Sequence, residues 1–146
     1  MTNYAIATQI LVDGPRNTVV KVTGDFLAAS PPAQTTIVTA SLLTSMLPAF
    51  AGSFPPTLLR VDQIDYSITD GIIVQLLWNA TTDVPIVELY GRGKIDAKCY
   101  GGLQNNAGAG VTGNIDLAIN DAGATFPADS SIMLILWLVK NRAGGA

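Results

Sequence analysis

The pattern that most restricts this chain is a period of two. Apolar and polar residues alternate in short runs, and Gly, Pro, Asn or Asp interrupts each run before it grows long. Alternation of that kind puts apolar side chains on one face of an extended strand. No long segment keeps the 3.6-residue spacing of a helix. Composition agrees: the 146 residues include one Glu and little Lys, while the strand-favouring Thr, Val and Ile are plentiful.

Read along the chain, Ile6, Ile10 and Val12 share one face of a first strand, which Asp13-Gly14-Pro15 stops. Val20 and Val22 alternate with Val19, Lys21 and Thr23 in a second, and a third covers residues 35–40. A helical turn is expected within 40–47. Leu58–Ile68 reads as one long strand whose apolar phase shifts from Leu59 and Val61 to Ile64, Tyr66 and Ile68, the mark of a bulge. Asp70-Gly71 predicts a type I′ hairpin turn into Ile72–Trp78. Residues 84–90 carry Pro85 near their start, which fits an edge. Gly91-Arg92-Gly93 then turns the chain into a strand over 94–100. Ile115, Leu117 and Ile119 alternate with Asp116 and Ala118, and a turn at 120–123 leads to a last strand over 131–140.

That last strand is apolar on both faces from Ile132 to Val139. Two readings stay open: a central strand covered on both sides, or a strand with one face forming an oligomer seam. Eight or nine short strands joined by turns predict an all-β fold, a single β-sandwich of jelly-roll kind over residues 1–146. Residues 142–146 are expected to be a frayed tail.

Composition removes many chemistries. With no His, neither a Ser-His-Asp triad nor a Cys-His pair can form. One Cys and no His cannot close a tetrahedral zinc site, and Cys99 is expected to be a packed strand thiol. Gly108-Ala109-Gly110-Val111-Thr112-Gly113 spells the dinucleotide fingerprint, but a strand pattern follows it where a helix is needed. The acidic residues are nearly all Asp at turns and strand exits, which is ordinary turn chemistry. A paired-carboxylate hydrolase or a calcium site on loop Asp residues would have to be assembled from them. The reading is therefore not an enzyme, with no cofactor. Eight Lys and Arg are scattered against eleven acidic residues, so no basic stripe exists for nucleic acid. The eight-residue apolar run is too short for a membrane helix, which needs about 20 residues. The opening Met1-Thr2-Asn3-Tyr4 has no basic region before an apolar run, so no export signal is expected. Asn79-Ala80-Thr81 matches a glycosylation sequon and is read as chance.

What remains is contact surface. Charged residues are only 13% of the chain, so part of the surface must be covered by small polar residues or by a partner. The segment 45–56 carries Met46, Leu47, Phe50, Phe54 and Pro55. It either caps an open end of the sandwich or meets a partner. The neutral, glycine-rich segment 101–111, with Leu103, Asn105 and Asn106, is either a mobile loop or a close-approach surface. Arg16, Arg60 and Arg92 are candidates for interface hydrogen bonds.

Three stretches resemble small virion proteins of tailed bacteriophages: Val12 to Gly24; Leu59-Arg60-Val61-Asp62 with Leu76 to Thr82; and Tyr100 to Gly113. The resemblance spans about residues 8 to 140. It implies a capsid decoration (cement) protein, made in the bacterial host cytoplasm and carried on the outer surface of the head. Such a protein bridges major capsid protein subunits and associates with itself as a trimer or dimer. Two alternatives accompany it. One is another virion part, such as a tail, neck or fibre-associated sandwich. The other is a carbohydrate-binding module using Tyr4, Tyr66, Trp78, Tyr90, Tyr100 or Trp137 as a stacking platform, although most of these sit at strand positions that alternate into a core.

Overall fold

Nine strands carry the alternation: β1 (Tyr4–Asp13), β2 (Asn17–Phe26), β3 (Thr35–Val38), β4 (Leu58–Ile68), β5 (Ile72–Trp78), β6 (Val84–Leu89), β7 (Arg92–Asp96), β8 (Ile115–Asp121) and β9 (Ser130–Asn141). They come from a computed structural model that describes residues 4–27, 31–44, 46, 56–121 and 126–141. The turn at 120–123 and the tail at 142–146 fall wholly or partly outside that range. A short 3-10 turn, Ala40–Leu42, stands inside the expected helical segment.

The pairing follows one rule from β2 onward. β5 pairs with β6, β4 with β7, β3 with β8 and β2 with β9, all antiparallel. This is one long ribbon folded over itself, and further pairing of β4 with β9 and of β5 with β8 joins its turns into sheets. The result is a five-stranded sheet, β1-β2-β9-β4-β7, facing a four-stranded sheet, β3-β8-β5-β6. That is the jelly-roll arrangement of a β-sandwich, with β1 added outside the eight-stranded ribbon.

The inner faces interdigitate. Val20, Val22, Ile64, Leu134, Leu136 and Leu138 of one sheet meet Ile72, Val74, Leu76, Trp78, Ile115 and Leu117 of the other in one buried cluster. Burying each such side chain contributes about 1.5–3 kcal/mol. At one end Phe26 and Phe126 close the core edge-on, with ring centroids 5.7 Å apart. Among the described residues no helix is long and apolar enough to cross a membrane.

Four expectations change. Val12 does not share a face with Ile6 and Ile10, because the register shifts between Ile10 and Val12 and sets Val12 opposite Val19. The extra residue, Leu11, flips the face. Asp70-Gly71 is not a hairpin turn. β4 and β5 lie in different sheets, and only Gly71 has positive φ, +93°, so the turn carries the chain across the sandwich. Type I′ would need positive φ at both residues. Both flanking strands bury one face against the same core, and crossing lets those faces oppose each other. The strand expected over 94–100 ends at Asp96, and Lys98–Tyr100 form a 3-10 turn. Cys99 is therefore exposed rather than packed. The bulge expected in β4 is present, as a register shift against β9 between Val61 and Gln63.

Candidate interaction surface

Antiparallel succession sends the β1–β2, β3–β4, β5–β6 and β7–β8 connections to one end of the sandwich. Met46, Arg16, Arg60, Leu103, Asn105 and Asn106 all lie in or beside these connections. Arg92 does not. It pairs with Ser67 at the far end of β4, roughly 23 Å from Arg60 along the strand. The proposed set is therefore not one surface. Leu47, Phe50, Phe54 and Pro55 lie outside the described residues, and Met46 is half-buried.

Arg60 is also not free to bind a partner. Its Nε donates to Asp62 Oδ1 at 2.7 Å and its second terminal nitrogen to Oδ2 at 3.2 Å. The bond to Asp62 raises the guanidinium pKa above its ordinary value. Arg16 and Arg92 are exposed.

An ion pair inside this end holds three segments together. β9 points Lys140 inward, with its side chain fully buried. Nζ donates to Asp13 Oδ1 at 2.5 Å, to the Gly14 carbonyl at 2.6 Å and to the Thr44 carbonyl at 2.8 Å. The Thr44 amide and hydroxyl donate to Asp13 Oδ2 at 2.9 and 2.8 Å. Burial alone would raise the Asp13 pKa. The hydrogen bonds from Lys140 and Thr44, with the Lys140 charge, outweigh burial and hold it below the usual carboxylate value. The sequence reading missed this pair. The only available signal was a Lys ending an otherwise apolar strand.

The glycine-rich segment is docked. Leu103 and Val61 exchange backbone hydrogen bonds of 2.7 and 3.1 Å. Thr81 N–H donates to the Ala109 carbonyl, and Thr112 N–H to that of Asn79. Gly113 has φ +81°, and a Cβ there would strike the Thr57 carbonyl. The close approach expected of this segment is thus made to its own chain. The fingerprint string ends, as expected, in a strand, β8. Asn105 Oδ1 accepts the Ala107 N–H, while its Nδ2 is buried with no partner among the described residues. Asn106 lines a hollow of about 280 Å³ with Trp78, Pro85, Ile86 and Leu103.

The two outward faces differ. On the four-stranded sheet Asp116 is buried, at 4% exposure. It accepts from the Thr36 hydroxyl at 2.7 Å, the Asn79 amide at 2.9 Å and the Gln34 amide at 3.1 Å. Gln34 also donates to Asp83 at 2.6 Å. The Ala80 N–H bond first, and then Gln34, lower the Asp83 pKa. Asp83 and Asp116 are thus bridged by an amide donor. Among the described residues no group of three or more His, Cys, Asp or Glu converges.

On the five-stranded sheet, β9 turns Met133, Ile135 and Trp137 outward, and β2 sets Thr23, Lys21 and Val19 beside them. Met133 is exposed, and Ile135 and Trp137 are half-buried. β9 is central in its sheet, and further along its outer face Val139 and the neighbouring Gln63 are buried. The strand is thus central, as one of the two readings had it, with its inner face fully covered and its outer face covered in part. The aromatic residues also depart from expectation. Trp78 is buried, but Tyr90 and Tyr100 are exposed, at 56% and 79%. They sit at opposite ends of the sandwich, so they do not form a joint stacking platform.

No family model matches the chain, and no curated protein matches it. Among solved structures it aligns over 96% of its length with 98% of a cupin domain from Bordetella pertussis Tohama I, at 10% identity and a TM-score of 0.37. It aligns over 94% with 80% of KdgF from Halomonas sp., at 14% identity and a TM-score of 0.31. It also aligns over 94% with 88% of TmCBM61 in complex with beta-1,4-galactotriose, at 9% identity and a TM-score of 0.31. Similarity this distant says nothing of activity or ligand; the chain's own strand order defines the fold.

Proposed function

We propose that this chain is a structural assembly protein that seats on a larger particle through the outer face of its five-stranded sheet. The observation that carries the reading is the outward apolar stripe of Met133, Ile135 and Trp137, with Met133 exposed and the other two partly so, on the central strand of a firmly paired sheet. Apolar area left open on a rigid face is stabilised by contact with another surface. The deeply placed Asp116 and Lys140, in contrast, spend their hydrogen-bonding capacity inside the chain.

The resemblance of the sequence to small virion proteins of tailed phages supports reading the particle as a phage head and the partner as the major capsid protein. Bound across capsid subunits as a decoration protein, the chain would favour the assembled shell by mass action, because it binds that state and not the separated subunits. Quantitative mass spectrometry of purified virions from the source tests this. The expected result is a fixed, high stoichiometry to the major capsid protein. A copy number in the range of a tail or neck ring moves the chain to that part of the virion, and absence from virions overturns the reading.

A further inference from the structure

We infer that two copies of this chain pair edge to edge through β1, extending the five-stranded sheets into one continuous sheet across a two-fold axis. The inference comes from comparing the four sheet edges, β1, β7, β3 and β6. An unpaired edge is a template for another strand, and proteins blunt such edges with short length, charge, proline or bulges. β7 carries Arg92, Lys94 and Asp96 in five residues. β6 carries Pro85, Glu88 and a register shift against β5. β3 has only four residues.

β1 lacks most of these defences. It runs ten residues and has no charged residue before Asp13. Its bulge falls between Ile10 and Val12, which leaves the seven residues from Tyr4 to Ile10 in unbroken register with β2. Ile10, Leu11 and Val12 are 48%, 45% and 52% exposed. Beside them the sandwich gapes between β1 and β3, in a groove of about 170 Å³ lined by Ile10, Ile37, Val38, Leu42 and Leu43.

A second copy suits this edge for reasons of symmetry and charge. Antiparallel pairing of a strand with itself is isologous and closes with two copies. Centred near Ala7, it brings no charge against a like charge. The only charge on β1, Asp13, falls at the far end of the pair and is already neutralised by Lys140. The paired stretch would form about seven backbone hydrogen bonds. The inward side chains of the second strand would lie over the open groove, which adds apolar burial to the backbone bonds.

This inference concerns the isolated chain and stands apart from the virion reading, so either can fail alone. Sedimentation velocity of the purified chain in reductant, from nanomolar to high micromolar concentration, tests it. The expected mass is twice the 15.2 kDa of one chain, falling to one chain on dilution. Ala7→Lys, on an exposed position near the axis, should give one chain at every concentration with an unchanged circular dichroism spectrum. Ala7→Thr should remain a dimer. Should Ala7→Lys fail to fold, hydrogen exchange on the wild type decides instead: β1 amides facing away from β2 should gain protection as concentration rises. Four results overturn the proposal: a one-chain mass up to high micromolar, a closed trimer, a folded Ala7→Lys that stays dimeric, or a dimer that reductant abolishes, since exposed Cys99 alone would then join the copies.

Discussion

The two broad faces of the sandwich solve opposite problems. The outer face of the four-stranded sheet buries a carboxylate, Asp116, and saturates it with donors from Gln34, Thr36 and Asn79. The outer face of the five-stranded sheet has only the Gln63–Asp65 hydrogen bond beside its central strand, where Met133 is exposed and Ile135 and Trp137 are partly so. The same logic of closure operates at the loop end, where Lys140 and Asp13 are satisfied within the chain. A surface whose polar atoms are already matched gains little from a partner, because binding there must desolvate groups that have no new bond to make. A surface with open apolar area gains from one. The difference is what supports the proposal of association through the five-stranded sheet.

The largest expected effect comes from opening what is closed. Asp13→Ala leaves the buried Lys140 ammonium with carbonyl partners alone, and should cost about 3–5 kcal/mol of unfolding free energy. Denaturant titration measures it, and a loss below about 1 kcal/mol would mean that water reaches Lys140 freely. Asp116→Ala removes the shared acceptor of Gln34, Thr36 and Asn79, of which Gln34 keeps Asp83, and should cost about 1–3 kcal/mol. A near-neutral result would erase the contrast between the faces.

Acid sharpens the same point. Asp13 has a lower pKa in the fold than its unfolded value of 3.8. Its stabilising contribution is therefore complete above 3.8 and is lost as pH falls through the lower folded value. Wild type should lose stability across that acid window, and Asp13→Asn should show a flatter acid limb in unfolding midpoints. Equal slopes would contradict the assigned pair. The smallest effect belongs to the open face. Met133→Lys should shift stability by no more than about 0.5 kcal/mol, with the lysine stem lying along the sheet. A loss of several kcal/mol would show that Met133 is covered after all.

Much of the architecture was legible because strands advertise themselves locally. The alternation around Val20 and Val22, and the phase shift after Val61, each depend on neighbours in sequence, and both appear in the structure. Sheet assignment is not local. Asp70-Gly71 has hairpin chemistry, yet the chain crosses between sheets there, because the choice rests on β9 and β8 lying alongside β4 and β5. The interaction surface was less legible still. Lys140 meets Asp13 and Thr44 across separations of 127 and 96 residues, and only the charge that ends the apolar run of β9 hints at the meeting in sequence. Arg60 looked available until Asp62, two residues away on the bulged stretch of β4, was seen to hold it. Met133 was readable as one member of an apolar run, but which side of the run stays open depends on where the second sheet stacks.

The most direct test adds the purified chain to phage heads from its source that lack it, and counts bound copies for wild type and for the Met133→Lys/Ile135→Lys double variant. Wild type should bind saturably, in fixed ratio to the major capsid protein. The variant, folded by circular dichroism, should bind with affinity reduced roughly tenfold or more. Equal binding of the two proteins, or no binding of either, would contradict it.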